Sequence, residues 1–133
     1  ASAAAELHHL QAHLAARDGQ PSRSLGLYAQ SSSSTRHRIE ACTHAIALLL
    51  DDGSAIAIGQ IPQWLERVPP ADRLRDPNLA LHEAMYLMRI DRVAQAQLRL
   101  HHAVALTGGR GPIAELARKL LDQIEPPSDT RSA

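Results

Sequence analysis

Apolar residues recur along this chain at intervals of three and four, and no stretch shows the strict alternation of a strand. Leu7, Leu10 and Leu14 mark an amphipathic helix over residues 3–17. "RDGQP" ends it, because Gly19 can adopt the left-handed conformation of a helix stop and Pro21 can open the next helix. "SRSLGLYAQ" then reads as a short second helix. "SSSST", residues 31–35, reads as a flexible polar connector in which Ser34 or Thr35 caps the third helix. Ile39, Cys42, Ile46, Leu49 and Leu50 form the stripe of that helix, over 36–51, closed at Gly53.

Ser54 caps "AIAIGQIPQWLERV", where Gly59 and Pro62 predict an interruption, either a kink or a restart at Pro62. Pro69, Pro70 and Pro77 predict a stiff extended connection, with Leu74 tucked inward as an anchor and with Trp64 and Leu65 packed on the following helix pair. Asp76 and Pro77 read as cap and first residue of the helix through "NLALHEAMYLMRI". Asp91 makes a tight turn. "RVAQAQLRLHHAVAL" comes next, with Val93, Leu100 and Val104 on one face, and "TGGRG" ends it. Pro112 opens a last helix striped by Ile113, Leu116, Leu120 and Ile124. Pro126 and Pro127 stop that helix, and residues 126–133 read as a disordered tail or linker.

The turns repeat. Gly19 and Gly53 lie thirty-four residues apart, and Asp91 comes about thirty-eight later. A helix-turn-helix unit of ~34 residues is the tetratricopeptide period. The expectation is an all-α chain of about seven helices over residues 1–125, arranged as antiparallel pairs. Each pair exposes an apolar stripe that it can bury only by stacking on its neighbour, as in a right-handed superhelix.

Composition supports the all-α reading. Ala and Leu dominate, Phe is absent, and Tyr28, Trp64 and Tyr86 are the aromatic residues. Fourteen basic residues balance fourteen acidic ones, so no net field draws the chain to nucleic acid or to an anionic membrane. No apolar run approaches the ~20 residues of a membrane span. "ASAAAELHHLQ" lacks the pattern of a signal peptide, and the single cysteine, Cys42, fits a reducing, cytoplasmic setting. The missing initiator Met and the "PPSDTRSA" end give the expectation of a piece cut from a longer protein.

The stretch "WLERVPPADRLRDPNLALHEAMYLMRIDRVAQAQLRLHHAVAL" resembles the helical-repeat region of large ATP-binding LuxR-type bacterial transcription regulators of the maltose-activator kind. The matching positions are Trp64, Leu65, Val68, Pro69, Leu74, Pro77, Leu79, Ala84, Val93, Ala94, Leu98 and Ala103. "EACTHAIAL", with His44 and Ala45, resembles another helix of that region. Two features depart from the pattern: "RIDR" lacks the Gly usual at its turn, and the first pair is short. The chain carries no phosphate-binding G-x-x-x-x-G-K-[ST] loop and no evident DNA-reading helix-turn-helix. The resemblance implies the sensor portion of such a regulator, which binds an inducer or a regulatory protein and relays the signal to an ATPase elsewhere.

Histidine is the compositional excess, with eight residues. His9 and His13 stand at i and i+4, a spacing that can hold a metal, with Glu6 the nearest third ligand. The alternative, preferred on sequence, is a solvated polar face opposite Leu7, Leu10 and Leu14. His101 and His102 diverge on a helix. His82-Glu83 lacks the second histidine of a zinc-protease motif. Cys42 and His44 also diverge, and Cys42 shares a register with Ile39 and Ile46, which reads as core. "GGRG" lacks the Lys and Ser/Thr of a phosphate loop, and Met85 and Met88 read as core rather than as an adaptable binding surface. The "SSSST" run could accept phosphate but reads better as a connector.

These readings assign no catalytic residue, cofactor or metal ligand. They place a binding surface on the concave face of the stack, lined by His37, Glu40, His44, His82, Glu83 and Tyr86. The expected function is a non-enzymatic interaction and signal-sensing module of a bacterial transcription regulator. Its partner would be a protein segment or a small effector, with no nucleic-acid or membrane contact from this segment. An exposed apolar end of the stack would favour a homo-oligomer. The alternatives are a free-standing tetratricopeptide-type secretion or assembly chaperone and a small histidine-based metal-binding protein.

Overall fold

A computed structural model describes residues 2–34 and 37–125. Among them are eight helices: α1 (Ser2–Arg17), α2 (Pro21–Ser31), α3 (Arg38–Asp52), α4 (Ala55–Glu66), α5 (Pro70–Arg73), α6 (Pro77–Arg89), α7 (Val93–Leu106) and α8 (Pro112–Ile124). Sequential neighbours pack on one another: α1 on α2, α2 on α3, α3 on α4, α6 on α7 and α7 on α8. The chain divides into two compact units, residues 1–73 and residues 74–133. No described helix is long and apolar enough to cross a membrane. The expected tail lies outside the described residues, as does Thr35.

Local chemistry sets most boundaries. Pro21, Pro77 and Pro112 each begin a helix, where a missing N–H costs nothing. The Ser54 hydroxyl accepts from the Ala57 amide at 3.1 Å, and Asp76 Oδ1 accepts from the Leu79 amide at 2.8 Å, so both predicted caps form. Gly53, at φ 73°, ends α3 and donates to the Leu49 carbonyl. At the equivalent turn between α6 and α7 the left-handed residue is Asp91, at φ 61°. The glycine expected at that turn is therefore replaced by a residue type that tolerates the conformation, at some cost.

Several expectations are corrected. The polarity of α1 is reversed: Leu7, Leu10 and Leu14 are 54, 57 and 40 % exposed, while His9, Ala12 and Ala15 are buried. Close approach decides this. Ser24 Oγ on α2 donates to the Ala12 carbonyl at 2.7 Å, a backbone contact that only small side chains permit. Helix α4 runs unbroken through Gly59 and Pro62. Burial of Ile61, Trp64 and Leu65 on one face offsets the hydrogen bond that Pro62 cannot make.

The connection after Pro69 is not wholly extended, since its first residues form α5. The Leu74 side chain is 49 % exposed and anchors nothing; its carbonyl, instead, accepts from His102 Nε2 at 2.6 Å. Ser34 does not cap α3, which starts after His37 without a side-chain cap. The serine run up to Ser34 is structured rather than flexible. Ser31, Ser32 and Ser33 donate to the carbonyls of Tyr28, Ala29 and Gln30. Arg67 Nη1 donates to Ser32 Oγ at 2.8 Å while its guanidinium lies 4.4 Å from the Trp64 ring centroid. The tryptophan passage thus ties the end of α4 to the end of α2.

In the second unit Ala80, Leu81, Ala84, Leu100, Ala103, Ala117 and Leu121 form the core, with Met85, Val104, Ile113, Leu120 and Ile124 against it. Val93 and Leu116, expected in the stripes, are 43 and 41 % exposed. Alanines at the contacts let α6, α7 and α8 approach closely, which moves the buried stripe of α8 to Ala114, Ala117 and Leu121.

A histidine cluster on one carboxylate

The reversed polarity of α1 turns His9 and His13 toward α2 and α3. Across from them, one turn apart on α3, stand Glu40 and His44. Three imidazole nitrogens reach the same carboxylate oxygen. From Glu40 Oε1 it is 3.1 Å to His9 Nε2, 3.4 Å to His13 Nε2 and 3.6 Å to His44 Nε2. The Nε2 atoms of His9 and His13 are 3.2 Å apart. His9, His13 and Glu40 are the described residues whose ligand atoms converge closely enough to share an ion.

Helix α2 supplies the outer groups. Tyr28, 1 % exposed, places its hydroxyl 2.8 Å from His13 Nδ1. Its ring stacks on His44 at 5.7 Å and 10°. Ser31 Oγ lies 3.2 Å from His9 Nδ1. Because the Ser31 hydroxyl donates to the Tyr28 carbonyl, its oxygen accepts from His9 Nδ1–H. That tautomer leaves the lone pair of a neutral His9 on Nε2, the nitrogen that faces Glu40. His37 stacks on His9 with centroids 4.9 Å apart, and His44 meets His13 edge-on at 4.5 Å. The His37 Nε2 is buried without a hydrogen-bond partner among the described residues.

Electrostatics follow the geometry. Burial pushes the Glu40 carboxyl up, but the hydrogen bond from His9 and the charges of His9, His44 and His13 outweigh it and hold the group below its ordinary value. Burial raises the Tyr28 phenol to about 12, so it stays protonated and can donate or accept. Burial likewise raises the Cys42 thiol to about 11 against the pull of Arg67 and Arg38; Cys42 is fully buried, an inert core residue.

Of the six residues assigned to a concave face, His37, Glu40 and His44 therefore meet around α1. In the other unit, His82 Nδ1 donates to the Asn78 carbonyl at 2.8 Å, and Glu83 pairs with Arg99 at 3.2 Å. Tyr86 is half-buried on the same helix. His101 faces Glu125 and His102 faces Leu74, so these two neighbours do diverge. The third group beside His9 and His13 is Glu40 rather than Glu6. Sequence reading missed Tyr28 and Ser31 as part of this site. The signal that would have found Glu40 and His44 is the repetition of an i, i+4 pair, His-x-x-x-His on α1 and Glu-x-x-x-His on α3. No family, curated protein or solved structure matches the chain.

Proposed function

We propose that this chain is a non-enzymatic sensing and interaction module of a bacterial transcription regulator, with its helical pairs stacked as a tetratricopeptide-like right-handed superhelix. A small effector binds at the cluster of His9, His13, Glu40 and His44. One observation carries this reading: imidazoles from α1 and α3 converge on a single carboxylate oxygen, and α2 backs them through the Tyr28 hydroxyl on His13. A ligand held there would bear on the packing of three helices at once, which is what a sensor requires. The resemblance to LuxR-type regulators supplies the context in which such a change would be relayed.

The chaperone alternative calls for an apolar groove that holds an extended peptide. The groove formed by α6 and α7, about 420 Å³, is lined by Leu87 and Leu98 but also by the Glu83–Arg99 pair, Gln95 and His102. These polar groups interrupt its mainly apolar lining, so it is a less continuous trough than an extended apolar peptide would call for.

The test is a thermal-shift panel of divalent metals, inorganic phosphate, small sugars and short acidic and basic peptides. The reading expects at least one class to raise the melting temperature of the wild-type chain and to lose that effect in Glu40→Gln. A panel in which every stabilising compound acts equally on Glu40→Gln contradicts it.

A further inference from the structure

The geometry points to a tetrahedral site for a divalent first-row transition metal of the zinc class, formed by His9, His13 and Glu40 and completed by His44 or a water. This rests on the sensing reading only for its biological role; the site stands on its own distances. Two ligand atoms bound to zinc at ~2.0–2.1 Å in a tetrahedral site lie about 3.3–3.4 Å apart. The three edges here are 3.2 Å from His9 to His13, 3.1 Å from His9 to Glu40 and 3.4 Å from His13 to Glu40. The ligand atoms therefore already stand at coordination spacing. His44 Nε2 lies 3.6 Å from the same carboxylate oxygen but outside the set whose ligand atoms all converge, so it joins only by a side-chain rotation and a water otherwise takes the fourth position.

The outer hydrogen bonds suit the same ion. A metal-ligating imidazole donates its other N–H to a fixed acceptor, which sets the tautomer and the ring plane. His9 does this toward Ser31 Oγ. His13 has Tyr28 at 2.8 Å, whose protonated hydroxyl turns to accept from Nδ1–H and so frees Nε2 for the metal. The stacked His37 ring fixes the plane of His9 from its other side. With His9 Nδ1–H held by Ser31, the position between His9 Nε2 and the carboxylate oxygen 3.1 Å away is one that a proton or a metal cation can fill, and the metal would take the proton's place.

Two imidazoles and one carboxylate suit zinc, cobalt or nickel, and not magnesium or calcium, which take all-oxygen sets. Both helices contribute through an i, i+4 pair, so the ion would clasp α1 to α3.

The experiment uses the tag-free chain, stripped with chelator and titrated with zinc by calorimetry and with cobalt(II) by visible absorption. The expected result is one zinc per chain and the intense visible bands of tetrahedral cobalt. His13→Gln and Glu40→Gln should each weaken binding at least tenfold, and Tyr28→Phe about tenfold through the outer shell. His101→Ala, on the other unit, should leave binding unchanged. His13 and Glu40 are partly exposed, so both variants should keep the wild-type helical circular dichroism. Zinc affinity equal in wild type, His13→Gln and Glu40→Gln, or cobalt bands of octahedral weakness, overturns the proposal. If zinc fails while another class in the stability panel acts through Glu40, the metal site falls and the sensing reading stands. If zinc binds without altering the protection of α1–α3 amides, the site stands and the sensing reading falls.

Discussion

The two units treat their buried polar groups in opposite ways. In the second unit the polar groups meet one to one, although Glu83 Oε1 has only the ion-pair contact and no well-aligned hydrogen bond. Glu83 and Arg99, with side chains 15 and 18 % exposed, pair with each other, and His82 donates to the carbonyl one turn before it. In the first unit three imidazoles share one carboxylate oxygen, and a fourth ring, His37, has a buried nitrogen without a partner among the described residues. One-to-one pairs hold a fold together. Crowded donors on a single acceptor are what a ligand site looks like from the protein's side. The lesson is to weigh how partners are distributed rather than to count charged residues in each half.

The largest effect should come from breaking the Glu83–Arg99 pair. Glu83→Gln leaves the Arg99 charge largely buried and unpaired, and should cost about 2–3 kcal/mol in urea unfolding. Glu40→Gln removes a carboxylate that is 57 % exposed, and should cost under ~1 kcal/mol without metal. Equal costs would erase the contrast between the units.

A pH dependence sharpens it. Burial lowers the His82 pKa below 6.5, against the Asn78 carbonyl and Asp76, which pull it up. The unfolded chain then binds the proton more readily than the folded one. Its contribution is present above 6.5 and is lost as pH falls through that value toward the folded pKa. Melting temperatures of the wild type should therefore drop between pH 7 and pH 5 more than those of His82→Asn, and parallel curves would count against the burial argument.

Asp91→Gly relieves a left-handed residue at the α6–α7 turn and should stabilise the chain by up to ~1 kcal/mol, read as a higher urea midpoint. The smallest change is expected at Leu10→Ser. Its side chain is 57 % exposed, so stability should move by less than ~0.5 kcal/mol; a loss of about 2 kcal/mol or more would mean that the leucines of α1 face a core after all.

Much of the fold was legible because it is written in local chemistry. Prolines at first helical positions, the caps Ser54 and Asp76, and the stop at Gly53 act within a few residues of themselves, so sequence order suffices to read them. The face of α1 was not legible. Periodicity favours the largest apolar residues, whereas the packing of α1 on α2 selects the smallest, Ala12 and Ala15. Pro62 misled for a related reason: its local penalty is visible, but the burial of Trp64 and Leu65 that outweighs it is not. The site was half legible. His9 and His13 announce a shared face, but which acid meets them depends on how α3 lies beside α1, and no spacing within one helix encodes that.

Whether an ion clasps the first three helices can be read from amide hydrogen exchange of the chelator-stripped chain, with and without one equivalent of zinc. Slower exchange is expected throughout α1, α2 and α3, with α6, α7 and α8 unchanged. Protection that rises equally in both units, or in neither, would refute the clasp.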